Sequence, residues 1–234
     1  MKEGILGVLG GMGPQATNTF YQRIIDRTQA ETDQEHLQVL LWSDAKIPDR
    51  TAAILGGRED EVFDQLLAGA KLLENAGCTV LAIPCNTSHY FADRLQAQLH
   101  IPIIHMIRAT VAALKAAGKT KAGILATDGT VRTGIYQKEL TQAGLTPVTL
   151  PDDLQKVVMS IIYDEIKRGE TGSREKFAEI DACLRAAGCD CAILGCTELS
   201  VFRTLHDLPP YYIDAMEVLT EQAILRCGKS LRNI

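Results

Sequence analysis

The chain has 234 residues, 46% hydrophobic and 23% charged, with a formal net charge of -5. That length supports one large or two small domains with respectable cores, and the composition is that of an ordinary soluble globular protein. The acidic balance, without basic runs interleaved with aromatics, argues against a nucleic-acid partner.

The opening MKEGILGVLGGMG has too short an apolar run for a signal peptide, and nothing later approaches a membrane span, so no membrane partner and a cytoplasmic location are expected. The seven cysteines lack a secreted framework and are read as free thiols in a reducing compartment. Neither Cys189/Cys191 nor Cys78/Cys85 completes a paired CxxC set, and His89, His100, His105 and His206 are scattered, so no metal site is expected.

Short aliphatic or β-branched runs alternate with stretches of helical period, the pattern of βαβ units around parallel sheets. Strands are expected near 4–9, 37–43, 79–84, 102–105, 121–126, 147–150, 190–195 and 211–213. Helices are expected near 15–30, 58–76, 88–99, 107–118, 131–143, 152–168, 173–187 and 215–228.

After the first strand, GGMGPQA at 10–16 loosely fits a dinucleotide fingerprint through Gly11, Gly13 and Ala16. Asp44, the acid that would take a ribose, lies roughly thirty residues on instead of about twenty. Met12 and Gly13 are therefore read as the wall of a small-molecule pocket. Neither a GxSxG elbow nor a P-loop ending is present.

The chain repeats itself. AGCTVLAIPCNTSHYF at 76–91 returns as AGCDCAILGCTELSVF at 187–202, and each copy reaches a cysteine, Cys85 or Cys196, after an apolar run. Gly7-Val8-Leu9 with Gly13 and Thr17 likewise corresponds to Gly123-Ile124-Leu125 with Gly129 and Thr133. The expected fold class is α/β, with two pseudo-symmetric, doubly wound parallel-sheet domains and the active site in the cleft between them. The first domain is expected to take residues 1–106 plus 209–234 and to carry Cys85; the second takes 107–208 and carries Cys196.

Ligands bind at the carboxyl ends of parallel strands, which is where both cysteines stand. A helix starting there would stabilise a thiolate, and Asn86, Thr87 and Thr197 suit a helix start or an anionic ligand. Two thiols facing one substrate from opposite sides suit stereoinversion, which needs a base on one face and an acid on the other. Cys78, Cys183, Cys189, Cys191 and Cys227 are read as ordinary buried residues.

Across nearly the whole chain, GVLGGMGPQAT (7–17), IPDRT (47–51), PCNTSH (84–89), LATDGT (125–130) and LGCTEL (194–199) carry a family likeness. The sequence resembles the aspartate/glutamate racemase superfamily, in its aspartate racemase branch. The resemblance implies a homodimeric isomerase that needs no cofactor, PLP included, and interconverts the enantiomers of a small dicarboxylic amino acid. Cys85 and Cys196 match the family's catalytic thiols. The α-carboxylate would meet Asn86, Thr87, Thr127 and Thr197, as in the family. Arg50 suits the distal carboxylate through a two-pronged hydrogen-bond pair, and Lys167 is carried over from aspartate-specific relatives. His89 and Glu198 either tune the thiols and shuttle protons or serve only as helix-start residues. A glutamate or broad-specificity racemase, a maleate cis–trans isomerase, and a binding module whose thiols do no chemistry stand as alternatives.

Overall fold

The structure, a computed structural model, describes residues 4–232. The chain divides into two compact units: one runs through Ala109 and resumes at Met216, and the other is Thr110–Ala215. The outermost limits expected from sequence, 1 and 234, lie outside the described residues.

The first unit is built on β1 (Ile5–Gly10), β2 (Gln38–Ser43) and β3 (Val80–Ala82), in the order β2-β1-β3. All pairings are parallel, with Ile5 opposite Gln38 and Leu6 opposite Val80. From Leu6 on β1 is buried, as is all of β3, so these central strands read as unbroken apolar runs. The expected fourth strand at 102–105 is reduced to one parallel bridge between Leu81 and Ile103. Pro102 there has no N–H to extend the ladder.

The second unit repeats the winding with β4 (Lys121–Leu125), β5 (Thr146–Val148), β6 (Cys191–Leu194) and β7 (Tyr212–Asp214), in the parallel order β5-β4-β6-β7. Because β7 pairs with β6, residues 209–215 stay with this unit, and the chain leaves it after 215 instead of after 208.

Several helices differ from expectation. The stretch 88–99 opens as a tight 3-10 turn, Thr87–Phe91, before a short helix, Ala92–Gln96. The stretch 131–143 breaks at Gly134, whose φ of 67° ends one helix (Asp128–Arg132) before the next (Ile135–Gln142) begins. The expected long helix at 152–168 is α-helical only through Asp152–Ser160, then widens into a π turn (Ile161–Glu165) and tightens into a 3-10 turn (Ile166–Arg168). Arg50–Leu55 is a helix absent from the sequence reading, whereas Thr197–His206 begins after Cys196, where a helix start was expected. Asp49 starts the first of these by accepting the Ala52 N–H at 2.8 Å.

Glycines bring the first loop close to its neighbours. A Cβ on Gly10 would lie 2.2 Å from the Thr17 methyl, and one on Gly11 would lie 2.3 Å from the Asp44 backbone. Thr17 Oγ1 accepts the Gly11 N–H at 2.8 Å and donates to the Gly13 carbonyl at 2.9 Å. Its counterpart in the repeat, Thr133, donates to the Gly129 carbonyl at 2.8 Å.

Candidate active site

In the first unit, β3 leads through Ile83 and Pro84 to Cys85, whose N–H donates to the Ile83 carbonyl at 2.8 Å. The thiol is 6% exposed and borders an apolar cluster with Met12, Leu9, Leu81 and Phe91. Met12 is buried, and its sulfur accepts from Ser88 Oγ at 3.2 Å. Asn86 and Thr87 follow, both buried, at the start of the 3-10 turn.

The geometry gives His89 a structural role. Its Nδ1 lies 2.9 Å from the Cys85 carbonyl, and its Nε2 accepts the Met106 N–H at 3.0 Å. The Met106 N–H favours a neutral ring with its proton on Nδ1, although Nε2 also lies 3.4 Å from the Ile104 carbonyl, and burial holds its pKa below the usual histidine range. The imidazole thus ties the Cys85 carbonyl to the main chain at Met106.

Arg50 is 8% exposed at the first position of its helix. Its Nη1 donates to the carbonyls of Ile47 and Pro48 at 3.2 and 3.0 Å. The guanidinium is therefore held against its own loop instead of lying on the surface. Asp44, the residue of the weak dinucleotide reading, spends a carboxylate oxygen on the Lys46 N–H at 3.0 Å.

In the second unit, β6 leads through Gly195 to Cys196, the cap residue of the helix Thr197–His206. Gly195 donates to the Leu125 carbonyl at 2.7 Å, and a Cβ there would lie 3.1 Å from the Tyr136 ring. Tyr136, which sequence reading did not single out, is fully buried beneath this turn and hydrogen-bonded to Thr110. Its only sequence signal was an aromatic residue on an expected helix.

Cys196 is 7% exposed, and its Sγ donates to Glu198 Oε2 at 2.8 Å. Thr197 Oγ1 donates to the same oxygen at 3.3 Å, while Lys167 Nζ reaches Glu198 Oε1 at 3.3 Å. Burial, followed by the charge of Glu198, pushes the Cys196 thiol well above the ordinary range. At this sulfur the helix start therefore stands beside two opposing influences, desolvation and the carboxylate of Glu198.

Lys167 belongs to the 3-10 turn after the π segment, 25% exposed, with its ammonium 4.8 Å from the Tyr163 ring centre. Thr127 caps the helix after β4, accepting the Thr130 N–H at 3.4 Å. Gln155 steadies that loop through the Ala126 carbonyl and Asp128, at 3.0 and 2.9 Å.

Each unit, then, carries a buried thiol at the end of an equivalent strand. Cys85, Met12, Asn86, Thr87 and Arg50 belong to the first unit, and Cys196, Thr127, Thr197, Lys167 and Glu198 to the second. Among the described residues, no helix is long and apolar enough to cross a membrane, and no His, Cys, Asp and Glu group is arranged to hold a metal.

Several known proteins that this chain resembles are racemases. The aspartate racemase of Picrophilus torridus superposes with a TM-score of 0.82 at 31% identity, covering 98% of this chain and 96% of that one. The broad-specificity amino-acid racemase RacX of Bacillus subtilis is 32% identical over 68% of this chain and 69% of its own length. The glutamate racemase of Lactiplantibacillus plantarum is 31% identical over 54% of this chain and 46% of its own length. Residues 9–223 match the Asp/Glu/hydantoin racemase family, and with the shared two-sheet fold this places the chain among the isomerases: it belongs to that family.

Proposed function

We propose that the protein is a cofactor-independent racemase that interconverts L- and D-aspartate, with Cys85 and Cys196 serving the two faces of one substrate. The observation that carries this reading is the pair of thiols at the ends of β3 and β6, equivalent strands of two sheets wound in the same order. One sulfur takes the α-proton as thiolate while the other, as thiol, delivers a proton to the opposite face. The α-proton of an amino acid is a poor acid, so the developing charge needs donors around the carboxylate. Asn86, Thr87, Thr127 and Thr197 provide amide and hydroxyl groups for that purpose.

Arg50 and Lys167 favour a substrate with a second carboxylate. Both are fixed before ligand arrives, Arg50 by two carbonyls and Lys167 by Glu198. A prepositioned cation loses less freedom when it binds an anion. The 32% identity to a broad-specificity racemase favours a second reading, in which neutral amino acids or glutamate are also accepted. In both readings the protein acts in solution on a small molecule, as a homodimer in the cytoplasm.

The test is proton NMR of L-aspartate with the purified protein in D2O and no added cofactor, beside a chiral assay for the D form. Loss of the α-proton signal with appearance of D-aspartate is expected, and the same assay over glutamate and neutral amino acids ranks the two readings. Absence of exchange with every amino acid would contradict both.

A further inference from the structure

The Cys85–Cys196 symmetry ends at the residue two positions later. Cys85 is followed there by Thr87, and Cys196 by Glu198. Glu198 is buried, one carboxylate oxygen accepts the Cys196 Sγ–H at 2.8 Å, and the other lies 3.3 Å from the Lys167 ammonium. A buried carboxylate costs several kcal/mol of desolvation in general, so one kept beside a thiol needs this cation.

We propose that Glu198 is the positioning residue that keeps Cys196 a thiol at rest and accepts its proton when Cys196 must act as base. The inference rests on the reading of Cys196 as a reacting sulfur. In the step, the S–H bond of Cys196 breaks and an O–H bond forms on Glu198 Oε2, leaving a thiolate and a neutral carboxyl group. One proton crosses one hydrogen bond, the negative charge passes from oxygen to sulfur, and no further reactant is needed. Lys167 stays beside the pair and offsets that charge in either location.

The other titratable groups of this unit near Cys196 are few. Tyr136, under Gly195, keeps its proton because burial pushes its phenol up, and Asp214, near Tyr136, is hydrogen-bonded by Ser200 at 2.6 Å. The carboxylate that accepts the Cys196 S–H is that of Glu198. On the Cys85 side the His89 ring faces main-chain groups at Cys85, Ile104 and Met106.

The experiment uses the full chain carrying Cys85→Ser, alone or with Glu198→Gln or Lys167→Met. Each protein is alkylated with iodoacetamide across a range of pH, and modification of Cys196 is followed by peptide mass spectrometry. With Glu198 intact, the midpoint is expected above the roughly 8.5 of a free thiol. Glu198→Gln should lower it by about one unit or more, a tenfold gain in thiolate near neutrality. Lys167→Met should raise it. With Cys85 restored, Glu198→Gln should slow racemisation about tenfold or more even though its sulfur has become more reactive. Loss of packing alone would not move the two readouts in opposite directions.

An unmoved midpoint, or an unchanged turnover, in Glu198→Gln would overturn the proposal. Should that variant fail to fold, a midpoint that Lys167→Met does not raise would overturn it as well. A wild-type protein inactive toward all amino acids would sink the racemase reading separately, and the alkylation series would still decide this one.

Discussion

Cys85 and Cys196 leave equivalent strands, yet their surroundings differ. Four residues after each cysteine stand His89 and Ser200, and both tie the thiol's turn to the chain end of the fourth-strand position. His89 takes the Met106 N–H at 3.0 Å, and Ser200 donates to Asp214 at 2.6 Å. This brace is shared, although its chemistry has changed from imidazole to hydroxyl and carboxylate. The residue two positions on is not shared, because only Glu198 offers a carboxylate. The backbone repeat therefore places two sulfurs alike, while single side chains decide how each holds its proton.

The largest effects should come from the sulfurs. Cys85→Ser or Cys196→Ser is expected to lower kcat by about 10²–10⁴-fold, the usual range for removing a positioned acid or base. A loss confined to one of the two would break the proposed equivalence. Next comes Arg50, where replacement by Met should raise KM for aspartate by roughly 10–100-fold, as for loss of a charged hydrogen bond. KM for a neutral amino acid should change little. Steady-state kinetics on the two substrates checks this, and equal losses on both would remove Arg50 from side-chain recognition.

The shared brace gives a smaller effect. Ser200→Ala leaves the buried Asp214 carboxylate without this donor and should cost about 1–3 kcal/mol in urea unfolding. The corresponding brace in the first unit adds a pH dependence. Burial lowers the pKa of His89, and that of neighbouring His105 falls to about 3. Unfolding returns both rings to about 6.5, so below that pH the unfolded chain binds protons that the folded chain does not. The stability these neutral rings contribute is full above about pH 6.5 and is lost as pH falls toward 3. Unfolding midpoints across this interval should decline on acidification, and less steeply in His105→Gln.

Much of the architecture was legible from the chain. Buried parallel strands must be continuously apolar, so β1, β3, β4 and β6 announced themselves, and the repeated segment carried both cysteines to equivalent strand ends. Local geometry was harder to see. The helix at 152–168 keeps its periodicity through Ile161 and Ile162, yet the backbone widens there, which sets the position of Lys167. The pairing of Lys167 with Glu198 joins residues remote in sequence, and no local pattern encodes such a contact. The hydrogen bond from Cys196 to Glu198 was hidden for the same reason, since it depends on a side-chain orientation set by tertiary packing.

The central claim is that each thiol serves one face of the same α-carbon. The most direct measurement is α-proton exchange in D2O by NMR, with Cys85→Ser and Cys196→Ser each incubated separately with pure L- and pure D-aspartate. A variant with one remaining sulfur should exchange the α-proton of a single enantiomer without inverting it, and the two variants should choose opposite enantiomers. Exchange of the same enantiomer by both variants, or undiminished racemisation by either, would contradict the account.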